Sequence, residues 1–185
     1  VLWAGSGRQD SPRSTPEAEF NQLFTRMYEL CEEQECGDPF SYARSREIHM
    51  ANRLGHSISK NYSGSDAVTK EGMQVEYKST ICASINATYN GISVQPTWEE
   101  QVKYLKDEKI AKYPLHFFSR YSKGKIKEIW SMEGVKVYEL LLPKLKKQFF
   151  NTKKKDPRLG ASLSAKEIEN EALLVYFTDS DSSFP

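Results

Sequence analysis

The sequence predicts a mixed α/β (α+β) domain in which helices flank a central mixed β-sheet. Three observations point to it. Apolar residues recur at helical spacing in some stretches and at period two in others, and these alternate as helices, strands, helix, strands, helix and strand. The chain has 185 residues, 38% of them hydrophobic and 12% aromatic, which is enough for one real core. No internal repeat interrupts this order.

Residues 1–14 are rich in Gly, Ser, Pro and Arg and residues 179–185 are polar and small, so both ends are expected to fray, leaving residues 15–178 as a single domain. Thr15-Pro16-Glu17 supplies an N-cap, a proline at the first helical position and an early acid. Phe20, Leu23, Phe24, Met27, Leu30 and Cys31 follow at helical spacing, so a helix is expected over 16–35. Its apolar face fits either the core or a dimer contact, and Gly37-Asp38-Pro39 ends it. A second helix, 41–54, carries Ala43, Ile48, Ala51 and Leu54 and stops at Gly55. Residues 15–55 thus read as a helical region that could supply dimerisation.

Strands are expected at 65–69 and 73–81, joined by the turn Lys70-Glu71-Gly72. In the second, Met73, Val75, Tyr77 and Ser79 alternate with Gln74, Glu76, Lys78 and Thr80, so Glu76 and Lys78 share a face. Asp66, on the neighbouring strand, can reach the same spot. Residues 82–96 have no clean period and read as a long polar loop, a common place for recognition. A helix over 97–112 follows, capped by Thr97, with Trp98, Val102, Leu105 and Ile110 inward. A hairpin around Ser122-Lys123-Gly124 joins strands at 115–121 and 125–131. A helix at 134–149 and a strand at 172–178 complete the chain.

The net charge of +1 hides an asymmetry. Residues 101–158 hold sixteen Lys or Arg against six Asp or Glu, a balance of +10 that leaves −9 elsewhere. A basic half of this kind suits a phosphate backbone, and Lys144, Lys146, Lys147, Lys153, Lys154 and Lys155 are the expected contacts. No run of eighteen apolar residues exists and the head lacks the order of a signal peptide, so a cytoplasmic protein without membrane contact is expected. Cys31, Cys36 and Cys82 lack CxxC spacing and read as isolated thiols. His49, His56 and His116 show no metal spacing and read as structural.

Two acids on adjacent strands make a hard oxygen-ligand site suited to Mg²⁺, whose natural substrate is a phosphodiester. Asp66 and Glu76 are the expected ligands, with the Tyr77 carbonyl as a further one. Lys78 could orient a water and steady charge developing on phosphorus. Glu47, on the preceding helix, is either an additional metal contact or a salt-bridge partner.

The pattern of Asp66 followed by Glu76-Tyr77-Lys78 resembles the PD-(D/E)XK nuclease superfamily, and more closely its type II restriction endonucleases. "GSDAV" and "VEYKS" are similar to Gly-Asn-Asp-Ala-Val and Tyr-Glu-Leu-Lys-Ser of one such enzyme, with the same interval from Asp to Glu. "PLHFFSRYSKGKIKEIWSM" and "KDPRLG…LLVY" also resemble its later segments, so the resemblance spans residues 62–176, the catalytic and recognition core. It implies a restriction-endonuclease-like core, Asp66 and Glu76 on Mg²⁺, and Lys78 as the catalytic lysine. It further implies a homodimer that clamps double-stranded DNA and cuts both strands, leaving 5′-phosphate and 3′-hydroxyl ends.

The departures lie on the reading surface. Tyr89-Asn90-Gly91-Ile92-Ser93 stands where that enzyme has a histidine run, and Lys155-Asp156 stands where it has an Asn pair before proline. Asn90, Ser93, Gln95, Lys155, Asp156 and Arg158 are the residues expected to face bases or nearby phosphates. Tyr104 either approaches the scissile phosphate or packs its helix. A junction-resolving or repair nuclease with the same site, and a non-catalytic DNA-binding protein on this scaffold, are the competing readings.

Overall fold

The structure, a computed structural model, describes residues 14–151 and 158–179. The frayed ends expected from composition, and the contacts expected of Lys153, Lys154, Lys155 and Asp156, fall essentially outside them. Its architecture is mixed α/β, with a central mixed sheet flanked by helices.

Helix α1 (Pro16–Glu33) starts as its sequence dictates, with the Thr15 hydroxyl accepting from the Ala18 amide and Pro16 in the first turn. Helix α2 (Arg44–Leu54) ends at Gly55, whose φ of 69° is the left-handed conformation that glycine adopts without strain. Six strands form the main sheet: β1 (Ser57–Ile58), β2 (Ala67–Val68), β3 (Gln74–Thr80), β5 (Leu115–Ser122), β6 (Lys125–Glu133) and β8 (Leu173–Phe177), in that spatial order. Only β3 and β5 run parallel; the other neighbours are antiparallel. The stretch read as a loop, 82–96, instead contains β4 (Ala87–Ile92), which pairs with β7 (Leu159–Leu163) in a separate two-stranded ribbon.

Period two divides the sheet into two faces. Val75 and Tyr77 of β3 pack with Phe117, Tyr121, Ile126 and Ile129 against Met50 and Ala51 of α2. On the opposite face Phe118 and Met132 meet the ribbon through Tyr89, Ile92, Leu159 and Leu163, together with α4 (Gly134–Asn151) through Val137, Leu141 and Leu145. Helix α3 (Trp98–Tyr104) carries the capping box Thr97–Glu100. It does not run on to 112 as an α-helix; Leu105–Lys109 widen into a π-helical turn that buries Leu105 and ends at buried Ile110. The short helix α5 (Ala165–Glu171), unforeseen in the sequence, has its own capping box, Ser164 with Glu167.

The N-terminal helices are tied down by one buried cation. The Arg44 guanidinium donates to the carbonyls of Cys36 and Ser59, pairs with Glu47 at 3.3 Å and lies 5.2 Å from the Tyr62 ring centre. By contrast, the apolar stripe of α1 is left uncovered: Phe20 is 65% and Leu23 60% exposed, and Cys31 is its only buried residue. Among the described residues this stripe packs only in part, through Phe24 stacked on Phe40 and buried Cys31.

Gly134 marks the closest approach in the fold. A Cβ there would lie 1.9 Å from the Tyr113 carbonyl oxygen and 3.3 Å from His116 Nε2, with no room for either to withdraw, since the Gly134 amide donates to Pro114 O at 2.9 Å. Gly134→Ala is expected to cost about 2 kcal/mol or more of stability by overpacking, read as a lower urea midpoint. An unchanged midpoint would mean that β6 and α4 meet less tightly than this.

Candidate active site

Asp66 enters the site from the loop before β2, because its amide donates to the Val75 carbonyl at 3.0 Å and so sets the residue beside β3. Its Oδ2 in turn accepts from the Tyr77 amide at 2.7 Å. Glu76 and Lys78 point to the same side of β3, as the alternation requires. The Lys78 ammonium contacts Glu76 Oε1 and donates to the Tyr77 carbonyl at 3.2 Å. The side chains are 25% exposed for Lys78 and 17% for Glu76, so the pair sits half-buried on one face of an interior strand of the sheet.

Charge is crowded here. Burial raises Asp66 first, then Glu76 and Glu47 push it further, and neither Lys78 nor the Tyr77 amide offsets them; its pKa rises to about 7. For Lys78, burial disfavours the ammonium, but Glu76 and Asp66 outweigh it and hold the pKa above the ordinary lysine value. Glu47 is both a salt-bridge partner of Arg44 and a third negative charge acting on Asp66, Tyr77 and Lys78. Among the described residues no three His, Cys, Asp or Glu side chains form a cation-binding group. The oxygens here that could hold a cation are those of Asp66, Glu76 and the Tyr77 main-chain carbonyl. Hard oxygens with an excess of negative charge fit Mg²⁺.

Beside this cluster lies a buried pair that residue spacing alone does not connect with it. The Tyr89 hydroxyl meets His116 Nδ1 at 2.7 Å, and His116 Nε2 donates to the Ile110 carbonyl at 2.9 Å. Burial pushes His116 down to about 4, so it is neutral near pH 7 and Tyr89 is the donor to Nδ1. The Lys78 ammonium stands 5.2 Å from the Tyr89 ring centre. His116 is thus structural, as its sequence context suggested, and so is His56, whose Nδ1 is 2.7 Å from the Tyr77 hydroxyl.

The expected readers are partly gathered on the ribbon. Asn90 and Ser93 are exposed on or just beyond β4, and exposed Arg158 immediately precedes β7, where Leu159 pairs with Ile92. Gln95 lies beyond the ribbon and its amide donates to the Gln101 side chain at 2.8 Å. Gly91, at φ 65°, sits in the irregularity between Tyr89 and Ile92, next to exposed Asn90. Tyr104 packs against the core. Lys144 is bonded to Glu167 and to the Ser162 carbonyl at 2.7 Å, and Lys146 lies over Trp98. Lys144 therefore fastens α4 to β7 and α5.

The ribbon and the tyrosine were missed for one reason. Leu159, Ala161 and Leu163 alternate with small residues, a period-two signal, but its partner strand lies some seventy residues earlier and is broken by Gly91. No protein-family model matches the chain, and no curated protein is similar to it at a significant level. Nor is any helix among the described residues long and apolar enough to cross a membrane.

Proposed function

We propose that the chain is a Mg²⁺-dependent type II restriction endonuclease of the PD-(D/E)XK class, a cytoplasmic homodimer that cuts double-stranded DNA at a defined site. The observation that carries this reading is the meeting of Asp66, Glu76, the Tyr77 carbonyl and the Lys78 ammonium on one face of the sheet.

Asp66, Glu76 and the Tyr77 carbonyl would hold the ion, which when bound supplies a Lewis acid for the phosphate and a more acidic water. The remaining work belongs to the chain. The Tyr77 amide holds the Asp66 carboxylate in place, and Glu76 and the Tyr77 carbonyl hold the Lys78 ammonium. That ammonium lies where it can orient a water and stabilise charge developing on the phosphate oxygens. Attack of the water oxygen on phosphorus, with rupture of the bond to the 3′ oxygen, which takes up a proton, leaves 5′-phosphate and 3′-hydroxyl ends. Asn90, Ser93, Gln95, Lys155, Asp156 and Arg158 would read the target, since Asn and Gln suit adenine, Asp cytosine, and Arg and Lys guanine.

The test is incubation with a long duplex of known sequence, with Mg²⁺ or with EDTA. Discrete fragments that need Mg²⁺ are expected. Absence of any metal-dependent cleavage contradicts the proposal, and cleavage confined to four-way or mismatched DNA transfers it to a structure-specific nuclease.

The uncovered stripe of α1 is the surface that supports a homodimer, because a two-fold axis would bury Phe20, Leu23 and Met27 against their own copies. Replacing Leu23 and Met27 together by Glu is expected to weaken self-association by roughly a hundredfold, since the new charges would be desolvated without partners. Sedimentation equilibrium reads this directly; a monomeric parent chain would rule the interface out.

A further inference from the structure

We infer that Tyr89 is a positioning residue for Lys78, and that through it the exposed β4–β7 ribbon is mechanically joined to the lysine of the catalytic strand. The inference rests on the nuclease reading and adds to it a part that no motif residue supplies.

Two contacts meet at this side chain. The ring lies beneath the Lys78 ammonium, 5.2 Å from its centre, where a buried aromatic face attracts a cation. The hydroxyl donates to His116 Nδ1 at 2.7 Å, and His116 is fixed in that tautomer by the Ile110 carbonyl at 2.9 Å. His116 stands on β5 opposite Glu76 in the parallel register, so the tyrosine is anchored two residue pairs from Lys78, on the same face of the sheet. The main chain at Tyr89 is held as well: it pairs with Ala161, and a Cβ at Gly160 would come within 3.2 Å of the Tyr89 carbonyl.

The consequence follows from strand alternation. Tyr89 points inward to Lys78 while its neighbour Asn90 is exposed on the ribbon. A shift of β4 on binding at its outer face therefore moves the ring on which the ammonium rests. An ordinary core tyrosine would need neither the cation above it nor a hydrogen-bonded histidine on the strand beside β3.

The experiment compares Tyr89→Leu and Tyr89→Phe with the parent chain by two readouts. The first is the NMR shift of the Lys78 ε-methylene, assigned with Lys78→Arg. The ring should move this signal upfield in the parent and in Tyr89→Phe, and Tyr89→Leu should return it to the position of a solvent-exposed lysine. The second is Mg²⁺-dependent cleavage of long duplex DNA. Here the rate at saturating DNA should fall about thirtyfold in Tyr89→Leu and about threefold in Tyr89→Phe. The DNA concentration for half-maximal rate should change little, and because a loss of folded protein would also lower the maximal rate alone, rates are taken per folded protein as measured by circular dichroism. A Lys78 signal indifferent to Tyr89→Leu overturns the inference whether or not the protein cuts DNA. So does an undiminished rate in that variant. Absence of cleavage by the parent chain, with the NMR result as expected, overturns the nuclease reading and leaves the contact standing.

Discussion

Lys78→Ala is expected to lower the Mg²⁺-dependent cleavage rate by roughly 10²–10⁴-fold, the range set by losing one preorganised charge or proton-handling group at a reacting phosphate. The reason is local. The Lys78 ammonium contacts both Glu76 and the Tyr77 carbonyl, and its partial burial amplifies its field. The half-saturating DNA concentration should move far less than the rate, because in the proposed reaction the ammonium would face the reacting phosphate and not the length of the duplex. Single-turnover cleavage of a long duplex, beside circular dichroism to show that the variant is folded, checks this. A folded variant that still cleaves at the parent rate would remove Lys78 from the chemistry.

Asp66→Asn is expected to stabilise the metal-free protein at pH 8. Asp66 has an ordinary pKa of 3.8 and one of about 7 in the fold, where burial and the charges of Glu76 and Glu47 resist its ionisation. Between those two values the folded chain binds a proton that the unfolded chain has released. Stability is therefore fully present below about pH 4, falls as pH rises toward 7, and levels off above it. Three pKa units set an upper bound of about 4 kcal/mol on the loss. Asparagine removes the slope and keeps an oxygen able to accept from the Tyr77 amide. Urea unfolding in EDTA at pH 5 and pH 8 should show a falling midpoint for the parent and a nearly constant one for Asp66→Asn. Mg²⁺ should recover the parent at pH 8 by binding the folded carboxylates. A parent chain equally stable at both pH values would show that Asp66 ionises normally.

How much of this was legible in the residues depends on how local the cause was. Glu76 and Lys78 share a face because strand alternation permits nothing else, and the turn at Gly72, with φ 85°, holds β2 beside β3. Thr97 with Glu100 and Gly55 marked helix ends through their own backbone bonds. The failures were non-local. The spacing of Phe20, Leu23 and Met27 encodes an apolar stripe but not what covers it. Strand β4 becomes a strand only because β7 lies beside it, with Thr88 bonded to Ser162 across 74 positions of chain. Tyr89 acquires a role only when that ribbon folds over β3 and β5. The capping box at Ser164 and Glu167 was in plain view and would have revealed α5.

The most direct test of the account is to map the ends of DNA cut by the purified protein. Long duplex DNA of known sequence is treated with Mg²⁺, and the fragment termini are sequenced and their chemistry determined. The account predicts that all cuts fall at one short recurring sequence, with 5′-phosphate and 3′-hydroxyl ends. Cuts scattered without a common sequence, or no cuts at all, would contradict it.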